Sequence, residues 1–238
     1  MLHTFARLLL ALALVGPLIL ASVEAQPPVR TVPSHASFNG QTYSEWSAEW
    51  WQWAYAQPTT NHALFDTADC SHNQAGRVWF LGGTFNTIGT DEEVLGEADR
   101  ECSIPSGTAL LFPIVNTVCD NVLVAGTEAE LRDCANFLAD HIQDVEVSVD
   151  RSEIEHLGLF RFETSLFEVG PLPADNIAGA PEGSFGQAVG DGFYVMLPPL
   201  SRGMHQINFS GELRFTAAED GFDFVATQDI EYIVNVGR

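Results

Sequence analysis

His62, Asp66, Asp69 and His72 fall in one short stretch on either side of Cys70. Imidazole nitrogens and carboxylate oxygens are the donors that zinc or a similar divalent ion takes, and a disulfide at Cys70 would restrain a loop otherwise costly to order. The spacings match no metal motif, and the stretch is also rich in Asn, Thr, Ser and Ala. An ordinary solvated loop is therefore the competing reading, and apart from that divalent ion no cofactor is expected.

Other chemistry-bearing groups are weaker candidates. Glu45 and Glu49 stand one helical turn apart, but glycoside hydrolysis needs two carboxylates that straddle the bond in a cleft, which neighbours on one helix seldom do. Trp46, Trp50, Trp51 and Trp53 offer indole faces for stacking on sugar rings. At helical spacing such residues read first as the stripe that docks a helix on a sheet, and Trp51, off the main stripe, is the one expected to stay exposed and bind ligand. Asp91, Glu92, Glu93, Glu97, Asp99 and Glu101 supply oxygens suited to calcium without the fixed Gly and Glu positions of an EF-hand, so a solvated acidic loop ending at Cys102 is expected. Gly183-Ser184-Phe185-Gly186 has Glu182 where a nucleophile elbow requires Gly. His205 reads as a structural side chain within a strand, Asn208-Phe209-Ser210 fits a glycosylation sequon, and no catalytic residue is assigned.

Four cysteines, Cys70, Cys102, Cys119 and Cys134, follow an N-terminal segment built like a secretory signal. Residues 8–20 are apolar apart from Gly16 and Pro17, a run shorter than the roughly 20 residues of a membrane span. Val23 and Ala25 place cleavage between Ala25 and Gln26. These features predict a signal peptide over 1–25, an extended Pro-rich arm over 26–38 and one β-rich domain over 39–238, secreted or periplasmic and without membrane insertion of the mature chain. In such a compartment an even cysteine count favours two disulfides. Of the three connectivities, sequential pairing of Cys70 with Cys102 and Cys119 with Cys134 is preferred, since the second loop is short and easily closed.

The formal charge is -22, and the chain contains no lysine. A surface of that sign repels phosphate backbones and anionic head groups, which argues against nucleic-acid or membrane-surface binding.

Two helices are predicted to position these groups. Thr42 with Glu45, and Thr127 with Glu130, have capping-box spacing. The first box precedes the tryptophan stripe over 44–56, and the second precedes Leu131, Cys134, Leu138 and Ile142 on one face. Elsewhere the period is two, as at Val145/Val147/Val149, Phe160/Phe162, Leu213/Phe215, Phe222/Phe224 and Ile230/Tyr232/Val234/Val236. Residues 78–81, 110–115 and 193–197 are continuous apolar runs suited to strands buried on both faces. Residues 170–192 read as one surface excursion, and Ser210-Gly211 and Asp220-Gly221 as turns. The fold class expected is mainly β, an antiparallel β-sandwich of jelly-roll or immunoglobulin-like connection with two packed α-helices.

The segments Tyr43-Ser-Glu-Trp-Ser-Ala-Glu-Trp-Trp-Gln-Trp53, Val78-Trp-Phe-Leu81, Cys102-Ser-Ile-Pro-Ser-Gly107, Leu111-Phe-Pro-Ile114, Met196-Leu-Pro-Pro-Leu200 and Gly203-Met-His-Gln-Ile207 resemble a family of uncharacterised exported bacterial proteins. The resemblance implies export, one domain and the cysteine framework, and it implies no catalytic residue. The closing Pro-Pro-Leu-x-x-Gly-x-His segment is also similar, less specifically, to the last strands of immunoglobulin-like modules. The expected function is a noncatalytic binding or surface-associated protein whose partner is a glycan or an extracellular surface component. The alternatives are a secreted hydrolase, metal-dependent or acting on glycans, with a site assembled only in three dimensions, and an assembly component recruited through an exposed strand or the arm.

Overall fold

The computed structural model describes residues 29–65 and 69–237. The expected signal peptide, its cleavage point after Ala25 and the metal candidate Asp66 lie outside them.

The described residues form two sheets. One holds β1 (Val78–Phe80), β4 (Ala109–Asp120), β9 (Gly186–Leu197) and β7 (Arg161–Glu163) in that order, with β8 (Phe167–Val169) also on β9. The other runs β2 (Thr87–Gly89), β3 (Glu93–Ile104), β11 (Phe224–Val236), β10 (Gly203–Phe215), β5 (Ile142–Val149) and β6 (Ser152–Glu153). Their facing sides share one core, in which Leu110, Ile114 and Val195 of the first sheet meet Ile207, Ile230 and Val234 of the second. Phe112 stacks on Phe209 across the gap, with ring centroids 4.9 Å apart. This is the expected mainly-β sandwich with two helices.

Its sheets are mixed, where antiparallel ones were expected. The β1/β4 and β3/β11 pairs are parallel, because the chain leaves β1 for the other sheet, builds β2 and β3 there, and returns beside β1 as β4. The final strand, β11, inserts between β3 and β10 rather than adding at an edge.

Helix α1 (Tyr43–Tyr55) carries the predicted Thr42/Glu45 box and packs on the outer side of the five-stranded sheet, against Leu111, Tyr194 and Met196. Trp46, Trp50, Trp51 and Trp53 are all buried. Strand β4 is consequently covered on both faces, as its continuous apolar run implied. Helix α2 (Glu128–Ala139) carries the second box and sets Leu131 and Ala135 against Cys119 and Val189. It ends before Ile142, which opens β5 instead of extending the helical stripe. Cys119–Cys134 and Cys70–Cys102 are bonded as expected, with Cα separations of 6.1 and 5.7 Å.

Three local expectations change. The acidic stretch after Glu92 is the strand β3: Glu97, Asp99 and Glu101 point to solvent while Ala98 and Cys102 are buried, so the charges sit on one face of a sheet rather than in a loop. Gly211 lies inside β10, where a Cβ would come within 2.9 Å of Val115, and the pairing with β5 shifts register there: Asp144 and Val145 of β5 together oppose Gly211, so Ser210-Gly211 is strand facing a bulge in β5 and not a turn. The excursion expected up to Gly192 ends at Gly186, because β9 needs glycine beneath α1: a Cβ on Gly190 would lie 2.5 Å from Trp51 Nε1. Residues 29–38 of the arm lie on the fold, with the Val32 N–H donating to the Met196 carbonyl at 2.9 Å and the Val32 carbonyl accepting from the Tyr43 hydroxyl at 2.8 Å. No helix among the described residues is long and apolar enough to cross a membrane.

Candidate functional site

The outer face of the six-stranded sheet carries a groove of about 650 Å³ across β5, β10 and β11. Strand periodicity builds it. Val147, Phe209 and Ile230 turn inward to the core, so Glu146, Ser148, Asn208, Ser210 and Asp229 turn outward. Register then aligns them in rows: Glu146 lies opposite Ser210 and Ser210 opposite Asp229, while Ser148 lies opposite Asn208 and Asn208 opposite Glu231. Glu153 on β6 and His156, exposed in the following turn, close one end.

These side chains make no internal contacts that would occupy them. Glu146, Ser148, Asn208, Ser210 and Asp229 form no side-chain hydrogen bond or ion pair among the described residues. Some partly buried polar side chains elsewhere are tied down. Arg161 bridges buried Asp191, at 2.6 Å, to Asp140 at 2.7 Å. Arg132 joins Glu128 to Glu163, and Asn136 also donates to Glu163. The groove is thus a concave polar surface with hydroxyl, carboxamide and carboxylate capacity left for a ligand.

Of the metal quartet, Asp66 lies outside the described residues, and His62, Asp69 and His72 are each engaged by other partners. Burial pushes the pKa of His62 down; its Nε2–H donates to the Ala54 carbonyl at 2.9 Å and its Nδ1 accepts from the Leu64 N–H at 3.0 Å. Neither nitrogen keeps a lone pair for a metal. Asp69 accepts from the Ser71 N–H at 2.8 Å, which holds its carboxyl below the usual range, and the His72 ring lies against the Asn61 carboxamide. No group of three or more His, Cys, Asp or Glu suited to a metal occurs among the described residues.

Trp51 is likewise not an exposed platform. It is 4 % exposed, and its Nε1 donates to the Tyr194 hydroxyl at 3.0 Å. A cleft of about 90 Å³, shared with Trp50, Phe85 and Asn116, touches it. The indole departs from the i, i+4, i+7 stripe, which points it to the open side, but the sheet beneath is wide enough, with Gly190 under the ring, to bury it as well. Glu45 is engaged by Thr42 in the cap, and Glu49 by Gln41, so the two do not act as a carboxylate pair.

His205, read from sequence as a structural side chain, does lie in strand β10, where it joins a constellation whose other members no sequence pattern links to it. His205 Nδ1 lies 2.7 Å from Asp150 Oδ2, and its Nε2 lies 3.2 Å from Ser201 Oγ and 2.9 Å from the Ser201 carbonyl. Asp150 and Arg151 form the two-residue turn between β5 and β6, both left-handed with φ of 52° and 68°, and Asp150 also accepts from the Gln206 N–H at 3.0 Å. Ser201 precedes β10. The alternation of the strands signalled the groove, but Asp150 is far from His205 in sequence, and only the β5/β10 pairing brings the two together. Ser184 ends a turn that leads into strand β9, not a helix, so no nucleophile elbow forms. In comparison with known proteins, the chain matches no protein-family model and no curated protein sequence.

Proposed function

We propose that this chain is an exported, noncatalytic binding protein that takes a neutral, hydroxyl-rich ligand, a glycan of an extracellular surface, in the groove across β5, β10 and β11. The observation that carries this reading is the set of outward side chains, Glu146, Ser148, Asn208, Ser210 and Asp229, that are aligned by register and unengaged internally. Carboxylates accept from sugar hydroxyls, a carboxamide both donates and accepts, and serines do either. Formal charge supports a neutral ligand: at -22 with no lysine, an anionic one would be repelled. Export is supported by the signal-like N-terminus together with two disulfides, which fit an oxidising compartment.

The test is a glycan array with the oxidised protein, followed by calorimetry on the best ligand. Asn208→Ala should weaken binding about tenfold, the loss of one or two hydrogen bonds, with no change in melting temperature. Full affinity in an Asn208→Ala, Asp229→Asn double variant would move the site elsewhere, and an array without any signal would reject the ligand class.

A hydrolase is the second reading, and one observation favours it: the succession Ser201 Oγ, His205 Nε2, His205 Nδ1, Asp150 has the order of a nucleophile, base and orienting acid. It ranks second because His205 Nε2 is closer to a carbonyl than to the hydroxyl it would activate.

A further inference from the structure

Strand β3 borders β11 on one side and β2 on the other, but β2 reaches only its first residues. The Val225 N–H donates to the Glu92 carbonyl and the Gly237 N–H to the Ile104 carbonyl, each at 2.9 Å. In a strand, main-chain groups alternate sides, so even-numbered residues of β3 face β11 and odd-numbered ones face away from it. Glu93 and Leu95 meet β2 there: the Glu93 carbonyl accepts from the Thr90 N–H at 2.7 Å, and Leu95 lies opposite Ile88. Before Thr87 the neighbouring chain has left this edge. The Thr84 N–H donates to Gln228 on the inner side of β11, and Thr84 sits under Gly96. The main-chain N–H and C=O groups of Asp99, Glu101 and Ser103 consequently have no main-chain partner among the described residues.

An open edge is a template for another strand, and side chains decide which strand it accepts. Glu97, Asp99 and Glu101 are exposed beside this edge, and Asp229 and Glu231 lie next to them on β11. Pairing with β3 of a second copy would set carboxylates against carboxylates, a destabilising arrangement. A basic strand meets both demands, supplying main-chain partners and opposite charge at alternate positions. Since this chain has no lysine and only ten arginines in total, such a strand comes from another protein.

We propose that the edge of β3 from Asp99 to Ser103 docks an extended segment of a different polypeptide, bearing lysine or arginine at alternate positions, which adds as a strand where β2 stops. This interface adjoins the ligand groove and shares Asp229 with it, but its main-chain edge lies on β3, outside the groove on β5 and β10.

A short peptide alternating lysine and threonine is the probe, titrated against the oxidised full chain by fluorescence anisotropy, with amide hydrogen exchange read residue by residue. The expected result is saturable binding that slows exchange at Asp99, Glu101 and Ser103. A peptide of the same sequence with alternate N-methylated amides, which keeps the charge and loses the donors, should bind about tenfold more weakly. Glu101→Pro removes an N–H that faces the open edge and none that bonds β11, and it should weaken binding by a similar factor. Should that variant fail to fold, Asp99→Lys keeps the backbone and is expected to abolish the salt dependence of whatever binding remains. Equal affinity for the N-methylated peptide, or unprotected amides at the three positions, would reduce the edge to a diffuse acidic surface and overturn the proposal. So would absence of peptide binding, or dimerisation through β3 seen by sedimentation.

Discussion

The indole Nε1 of Trp51 donates to the hydroxyl of Tyr194 at 3.0 Å, joining residues 143 positions apart in the chain. Asn116 Nδ2 donates to the same oxygen at 3.1 Å. Burial raises the Tyr194 pKa, against the pull of these two donors, so the hydroxyl stays protonated. Tyr194→Phe leaves the buried Trp51 N–H without an acceptor and should cost about 1–3 kcal/mol. Trp51→Ala should cost more, about 3–5 kcal/mol, because it opens a cavity between helix and sheet. Urea unfolding checks both. Wild-type stability for Trp51→Ala would mean that the ring carries no packing load and would restore it as a ligand platform.

The Cys119–Cys134 bond ties α2 to the end of β4 with a sequence separation of 15. In the chain-entropy account a loop of that length is worth about 3 kcal/mol through restriction of the unfolded state. Cys134→Ala should lower stability by about that amount and raise hydrogen exchange in α2 before it does so in β10 or β11. Equal exchange throughout would show that α2 is held by its apolar face alone. Non-reducing mass mapping checks the two pairings directly.

Both helices were legible because two independent signals, a capping box and an apolar stripe, coincide at each. The Cys119/Cys134 pairing follows from preferring the short sequential loop and from Cys134 lying on the apolar face of the second helix; loop length alone does not fix it, since Cys102/Cys119 closes a loop of nearly the same size. Parallel strand pairing was not legible. It depends on where β11 inserts, and Ile230, Tyr232, Val234 and Val236 show the same alternation whether their neighbour runs parallel or antiparallel. The acidic run of β3 reads as a loop because its charge density outweighs the alternation of Glu97, Asp99 and Glu101 with Ala98 and Cys102. The groove residues were visible only as the polar half of strand patterns. Their convergence depends on register between β5 and β10, which a bulge in β5 at Asp144-Val145, opposite Gly211, shifts and which no single strand encodes.

His141 at the end of α2 connects to the β10–β11 hairpin, with Nδ1 2.7 Å from the Phe137 carbonyl and Nε2 2.9 Å from Asp220. Desolvation disfavours the charged ring, but the Phe137 carbonyl and Asp220 together outweigh it, and the pKa is raised. A raised histidine contributes stability that is fully present below the unfolded value of about 6.5. That contribution fades as pH rises past 6.5 and is gone above the higher folded value. Denaturation midpoints should therefore decline over that window, and Asp220→Asn should flatten the decline. A wild-type slope retained in Asp220→Asn would assign the pH dependence to another group.

Ser201, His205 and Asp150 decide between a latch and a catalytic site. To activate Ser201, Nε2 must accept the hydroxyl proton; to bond the Ser201 carbonyl, the same atom must donate. The two roles exclude each other, and the carbonyl is the closer partner, at 2.9 Å against 3.2 Å. With Nδ1 against Asp150, the ring holds the loop before β10 onto the β5–β6 turn, and Asp150 and Gln206 reinforce the join by two further bonds, at 2.8 and 3.0 Å. A latch of this kind does not need the hydroxyl. Ser201→Ala should stay within about 0.5 kcal/mol of wild type, as surface substitutions do. His205→Ala should cost about 1–3 kcal/mol and speed amide exchange at Gln206, whose N–H loses its fixed acceptor when Asp150 is released. A fluorophosphonate probe should leave Ser201 unlabelled. Stoichiometric labelling at Ser201 that disappears in His205→Ala would mean that Nε2 turns to the hydroxyl in solution, and it would put the hydrolase ahead of the binding protein.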